Sequence, residues 1–127
     1  LAPKLPKTTL DSLEIEYYGG EVFKDKNGAE FLAISKTDLL LDNINKIFKN
    51  KINQIRNKLG SEKMIAYKIL KPDYFVVTWT DGSEVHYLKG ILHKRCIYKL
   101  EFKYSISSKD LYDPIVVDMC NSFKIVQ

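Results

Sequence analysis

No stretch of this sequence approaches the roughly 18 consecutive apolar residues that a membrane-crossing helix needs. The longest contenders, Leu39-Leu40-Leu41 and Ile115-Val116-Val117, make one helical turn each. Charge of one sign is not in excess either: 20 lysines and arginines stand against 16 acids, a formal +4. A protein that binds nucleic acid by electrostatics shows a steeper imbalance or a basic tail, so no nucleic-acid partner is expected. A glycine-rich phosphate loop is missing; Gly19-Gly20 is isolated and precedes a strand pattern, not a helix. The opening Leu1-Ala2-Pro3-Lys4-Leu5-Pro6-Lys7 lacks the basic patch and apolar core of a signal peptide. It reads as an extended arm over 1–12, a mature or trimmed terminus, ahead of one domain over 13–127.

Histidine and cysteine are scarce, at two residues each. His93-x-x-Cys96 offers two metal-ligand types, with Asp118 or Cys120 able to join from a helix. Zinc sites usually combine two such local pairs. On a strand, residues three apart also point to opposite faces unless a bulge or turn intervenes. The expectation is therefore no metal and no cofactor. Neither histidine has an acidic partner at telling spacing, and no motif surrounds the serines or cysteines, so no catalytic residue is assigned. Cys96 and Cys120 allow one disulfide from a strand to the last helix, or serve as two small buried apolar side chains.

What is present is patterned. Ile15 and Tyr17 alternate with Glu14 and Glu16, and Asn27-Gly28 signals a hairpin ahead of a strand ending near Ser35. Leu40, Ile44, Ile47, Phe48, Ile52, Ile55 and Leu59 recur at helical spacing, capped by Thr37 or Asp38 and closed by Gly60. The opposite face of that helix carries Lys46, Lys49, Asn50, Asn53, Asn57 and Lys58. A meander follows: Met64 to Leu70, then Tyr74 to Trp79, then Glu84 to Lys89 across an Asp81-Gly82 turn, with Gly90 as an interruption. From about Arg95 to Tyr104 the alternation is clean, with Cys96, Tyr98, Leu100, Phe102 and Tyr104 on one side. A last helix is expected to begin near Ser108, a good cap, or to become regular at Asp113 as cap with Pro114 at its first position; Leu111, Ile115, Met119 and Phe123 form its buried stripe, with Tyr112, Val116 and Cys120 beside it. The fold class is α+β: an antiparallel β-sheet with the long amphipathic helix and the C-terminal helix packed together on one face.

The second half resembles the PsbP/DcrB-like superfamily of small exported bacterial proteins. The resemblance rests on Tyr67, Tyr74-Phe75-Val76-Val77-Thr78, Gly82, Tyr87, Lys89 and Tyr104. It extends through Leu111-Tyr112-Asp113-Pro114-Ile115-Val116 and Ser122-Phe123, and the Asp25-Lys26-Asn27-Gly28 turn also fits. It spans about Gly20 to Phe123, mostly core aromatics and turn residues, which report fold more than chemistry. One departure is Thr78-Trp79-Thr80, where relatives often carry a small Ser-Gly pair. The resemblance implies a periplasmic or secreted, non-enzymatic domain that acts by binding, and it carries over no functional residue.

Eight tyrosines, six phenylalanines and one tryptophan exceed what one covered sheet face holds. Tyr74, Trp79 and Tyr87, near strand ends and the Asp81-Gly82 turn, form the candidate binding surface, and the expected partner is another protein. Cross-strand pairing on a half-exposed sheet is the plainer role for the same residues. Two other readings stay open: a small metal-dependent or hydrolytic enzyme using His86, His93 and Cys96, and an intracellular adaptor that meets an acidic partner through the lysine-rich helix face.

Overall fold

A computed structural model describes residues 16–17, 22–25, 28–37 and 43–124 of the chain. The arm over 1–12, the Gly19-Gly20 bend, Asp38 and Leu40 lie outside the described residues. Within them run β1 (Glu16–Tyr17), β2 (Val22–Lys24), β3 (Glu30–Thr37), α1 (Ile44–Leu59), β4 (Ile65–Leu70), β5 (Tyr74–Thr80), β6 (Glu84–His93), β7 (Cys96–Ser105) and α2 (Lys109–Ser122). The strands form one sheet in the order β1-β2-β3-β7-β6-β5-β4, every neighbour antiparallel. α1 carries the chain from β3 to the far edge, and the β4–β7 meander returns it to lie beside β3.

Thr37 ends β3 rather than capping α1. The cap is Asn43, whose Oδ1 accepts from the Lys46 N–H at 2.9 Å. Gly60 closes the helix at φ 76°, its N–H donating to the Arg56 carbonyl at 2.7 Å. The predicted apolar stripe packs as read. Ile44, Ile52 and Ile55 are buried with Phe75, Val77, Leu88 and Ile97 of the sheet, and Phe48 meets Phe75 edge-to-face.

The two helices lie on opposite faces, which corrects the expectation of a shared face. Register and parity settle this. Phe75, Val77, Leu88 and Ile97 point to α1, whereas Val85, Ile91, Tyr98, Leu100, Phe102 and Tyr104 form a separate core with α2. The run of apolar residues Tyr74–Val77, resumed at Trp79 after Thr78, is the mark of a strand covered on both sides. The alternation in β7 suggested a one-sided sheet because the α1 face of that strand carries Lys99, Glu101 and Lys103, all part-buried charged residues.

α2 begins at Lys109 with Ser108 in the cap position, the earlier of the two expected starts, and it keeps Pro114 inside the helix. Pro114 is exposed, so water can meet the Asp110 carbonyl that its missing N–H leaves free. The buried stripe is Tyr112, Val116, Met119, Cys120 and Phe123; Leu111 stands 56% exposed and Ile115 is half-buried, a rotation of the expected face. Tyr112 fixes that rotation, since its hydroxyl donates to the buried Asp25 carboxylate. Asp25 also accepts from the Ala29 N–H at 2.9 Å, within the turn that Gly28 makes at φ 83°.

Gly90 does not interrupt β6. It lies opposite Phe75, and a Cβ there would sit 2.6 Å from the phenyl ring. The turn into β7 is Lys94-Arg95, both at positive φ, a two-residue connection of the kind that matches strand twist.

Candidate functional site

Trp79 sits near the end of β5 on the α1 side of the sheet, and His86 of β6 is its direct cross-strand partner. Their rings stack with centroids 5.0 Å apart and planes within 4°. The Lys51 ammonium of α1 lies 5.0 Å from the Trp79 ring centre, a cation–π distance. Lys51 is itself partly buried, which lowers its pKa. The indole is thus held on two sides and packs part-buried against the α1-side core.

The Asp81-Gly82 turn completes the arrangement. Asp81 Oδ1 accepts from the backbone N–H of Glu84 at 2.9 Å and of Ser83 at 3.1 Å, and Oδ2 pairs with His86 Nε2 at 2.9 Å. The His86 hydrogen bond, and then the two backbone N–H groups, hold the Asp81 carboxyl far below the usual carboxylate range. The acidic partner of His86 was therefore missed in the sequence. It stands five residues upstream, across a hairpin, and only strand register brings the two together. Ser83 Oγ bonds Asp81 at 3.2 Å, so the nearby hydroxyl is engaged by the carboxylate.

Two clefts flank Trp79 and His86. One, of about 280 Å³, opens where α1 stops covering the sheet and is lined by Glu30, Leu32, Glu101 and Lys103. The other, of about 230 Å³, lies between α1 and the strands, beside Lys51, Gln54, Lys58, Asp81 and Glu101. Lys103 pairs with Glu30, which lowers the Glu30 pKa and raises that of Lys103. The rim carries both signs of charge.

The structure separates the other sequence candidates. Tyr74 and Tyr87 face α2, on the side of the sheet away from Trp79, so the three aromatics do not form one patch. Tyr74 lies 5.0 Å beneath the Lys89 ammonium, which donates to the Cys120 and Phe123 carbonyls at 2.8 and 3.0 Å and so closes the end of α2. That ring is engaged in anchoring a helix. Tyr87 is half-buried beside α2, its phenol pushed up to about 12 by burial.

The Lys94-Arg95 turn does bring His93 opposite Cys96, on the α2 face. His86 is on the other face of the same strand, so His86, His93 and Cys96 share no site. Cys96 and Cys120 are not joined by a disulfide; both lie in the core under α2, and burial pushes the Cys120 thiol up to about 12. Among the described residues the side chains close enough to hold a metal are Asp81, Glu84 and His86, with ligand atoms within 4.8 Å of one another. Asp81 is already committed to the turn and to His86, and that bonding accounts for their proximity.

A seven-stranded antiparallel sheet between two helices, with α1 crossing from β3 to the far edge, is a PsbP-like α+β fold. The solution structure of cyanobacterial PsbP (CyanoP) from Synechocystis sp. PCC 6803 superposes with a TM-score of 0.58 over 83% of this chain and 73% of that one. At 8% identity the likeness is one of fold. No protein-family profile matches the sequence, and no curated protein does. Among the described residues no helix is long and apolar enough to cross a membrane.

Proposed function

We propose that this chain is a non-catalytic, exported bacterial domain that binds another protein through the part of its sheet surrounding Trp79. The observation that carries this reading is the geometry of Trp79 itself. A part-buried indole at the edge of the α1-side core, stacked on His86 and approached by Lys51, presents rigid amphipathic area between two clefts. Tryptophan in such a setting is the residue type that dominates binding energy at interfaces. The mixed rim of Lys51, Lys58, Lys103, Glu30 and Glu101 fits the polar border of a protein interface better than it fits phosphate tracking. A non-catalytic role fits the bonding at this corner: His86 Nε2 and the Ser83 hydroxyl both go to Asp81 and not to each other, so no nucleophile–base hydrogen bond joins them. Export rests on the resemblance of Tyr67 to Phe123 to exported proteins.

A photo-crosslinking residue placed at Gln54, on the rim of the α1 cleft, tests the reading in the native host. A discrete crosslinked partner from Gln54, without the same product from Leu111 on the far side, is the expected result. Identical products from both positions would contradict it.

A further inference from the structure

The opposite face of the sheet holds a second, separate opening. Register sets Tyr67 of β4, Thr78 of β5 and Tyr87 of β6 side by side, and the row continues through Phe102 and Phe31. α2 covers Phe102 and Phe31 but stops short of the β4 edge. Between helix and edge lies a groove of about 430 Å³, within the range of small-molecule sites. Tyr67 and Tyr87 border Thr78 on the sheet side, and Val117 and Asn121 form the helix wall.

We propose that this groove binds a small neutral molecule with an apolar ring or chain and one hydroxyl or carbonyl group. Three observations converge on that chemistry. First, four large apolar side chains are exposed among the described residues, and two of them, Tyr67 at 50% and Val117 at 43%, line this one groove. Exposed apolar area gathered at one concave place marks a binding site more than scattered residues do. Second, the Thr78 hydroxyl is buried there without a hydrogen-bond partner in the protein. A buried hydroxyl left unpaired is costly, so a ligand group that meets it gains both affinity and orientation. Third, the charged residues of the lining, Lys109 and Asp113, are paired with each other, and Asp113 also accepts from Tyr104. An ionic ligand would therefore find no free counter-charge. Tyr87, also in the lining, stays a neutral phenol and so adds no charge to the groove.

The test uses the full chain and 4-ethylphenol as probe, followed by heteronuclear NMR titration. Saturable shifts are expected at Thr78, Tyr87 and Val117. Thr78→Val keeps the shape and removes the hydroxyl; it should weaken binding about fivefold, the scale of one hydrogen bond. Ethylbenzene should bind wild type about as weakly as 4-ethylphenol binds that variant, and 4-ethylbenzoate should bind worse than the phenol. Val117→Trp, made at an exposed position, should fill the groove and abolish binding, while Leu111→Trp, on the same helix, should leave it intact. Equal binding of the phenol by wild type and Thr78→Val would overturn the proposal. So would preference for the benzoate, or self-association of the chain through the same residues. Trp79→Ala should have no effect on this titration, so failure here and failure of the Trp79 surface are separable.

Discussion

The indole of Trp79 lies flat on the imidazole of His86, with ring centroids 5.0 Å apart and planes within 4°. Asp81 fixes the far side of that imidazole through Nε2 at 2.9 Å, so a turn carboxylate, a histidine and a tryptophan form one rigid corner of the sheet. A ring supported in this way loses little freedom when a partner covers it, which is the physical advantage of a preformed contact.

The corner predicts a pH dependence. The folded-state pKa of Asp81 is depressed below the unfolded value of about 3.9, through His86 first and then the turn N–H groups. Its stabilisation is therefore complete above that pH and is lost as the pH falls toward the folded value. Asp81→Asn keeps an oxygen for the backbone and removes the charge. Near the surface this should cost about 0.5–1 kcal/mol at neutral pH. Urea unfolding at about pH 7 and about pH 3 should show the gap to wild type narrowing with acid. A constant gap would contradict the pairing.

Core substitutions test the corrected helix faces. Phe123 is 1% exposed beneath α2, so Phe123→Ala should cost about 3–5 kcal/mol. Phe48 is only half-buried against Phe75, and its truncation should cost less, about 1–2 kcal/mol. Leu111→Ala should fall within about 0.5 kcal/mol of wild type. Denaturant unfolding ranks the three, and a large loss at Leu111 would restore the stripe expected from spacing alone.

Gly90 gives a sharper steric test. A Cβ at this position meets the Phe75 ring at 2.6 Å, so Gly90→Ala should destabilise by about 1–3 kcal/mol. Phe75→Leu should recover part of that loss in the double variant, as a shared clash requires. Additive losses in a thermal-melt cycle would argue that Gly90 is needed for backbone reasons instead.

The thiols make a prediction too. Cys96 and Cys120 form no disulfide, and Cys120 is buried with its thiol pushed up to about 12. Alkylation in denaturant without reductant should add two labels, and in the folded protein Cys120 should react more slowly than half-buried Cys96. Intact mass without any label on material from an oxidising compartment would show a bond.

Elements were more legible than their placement. The 3.6-residue recurrence from Ile44 to Leu59 and the turns at Gly28 and Asp81-Gly82 are local signals, and local geometry obeyed them. Which face each helix covers depends on strand parity across the whole sheet, and the two-sided run Tyr74–Trp79 was the one available clue. Gly90 read as a break because glycine usually ends strands, whereas here the Phe75 ring requires it. For the site, Trp79 stood out in the sequence as a departure from the small Ser-Gly pair that relatives often carry. Its partner His86 was not, because register is a long-range property that spacing in one strand does not reveal. Tyr74 failed as a surface residue for a similar reason: Lys89 and the end of α2 converge on it only in the folded chain.

The most direct test of the central claim is partner affinity at the tryptophan face. With the crosslinked partner in hand, titration calorimetry of wild type and Trp79→Ala, each checked for an unchanged fold by circular dichroism, measures that contribution. The account predicts a folded variant that binds about 1–2 kcal/mol more weakly or worse, as removal of an interface anchor would. Equal affinity of the two proteins, or loss of folding in Trp79→Ala, would place Trp79 in the core and contradict the account.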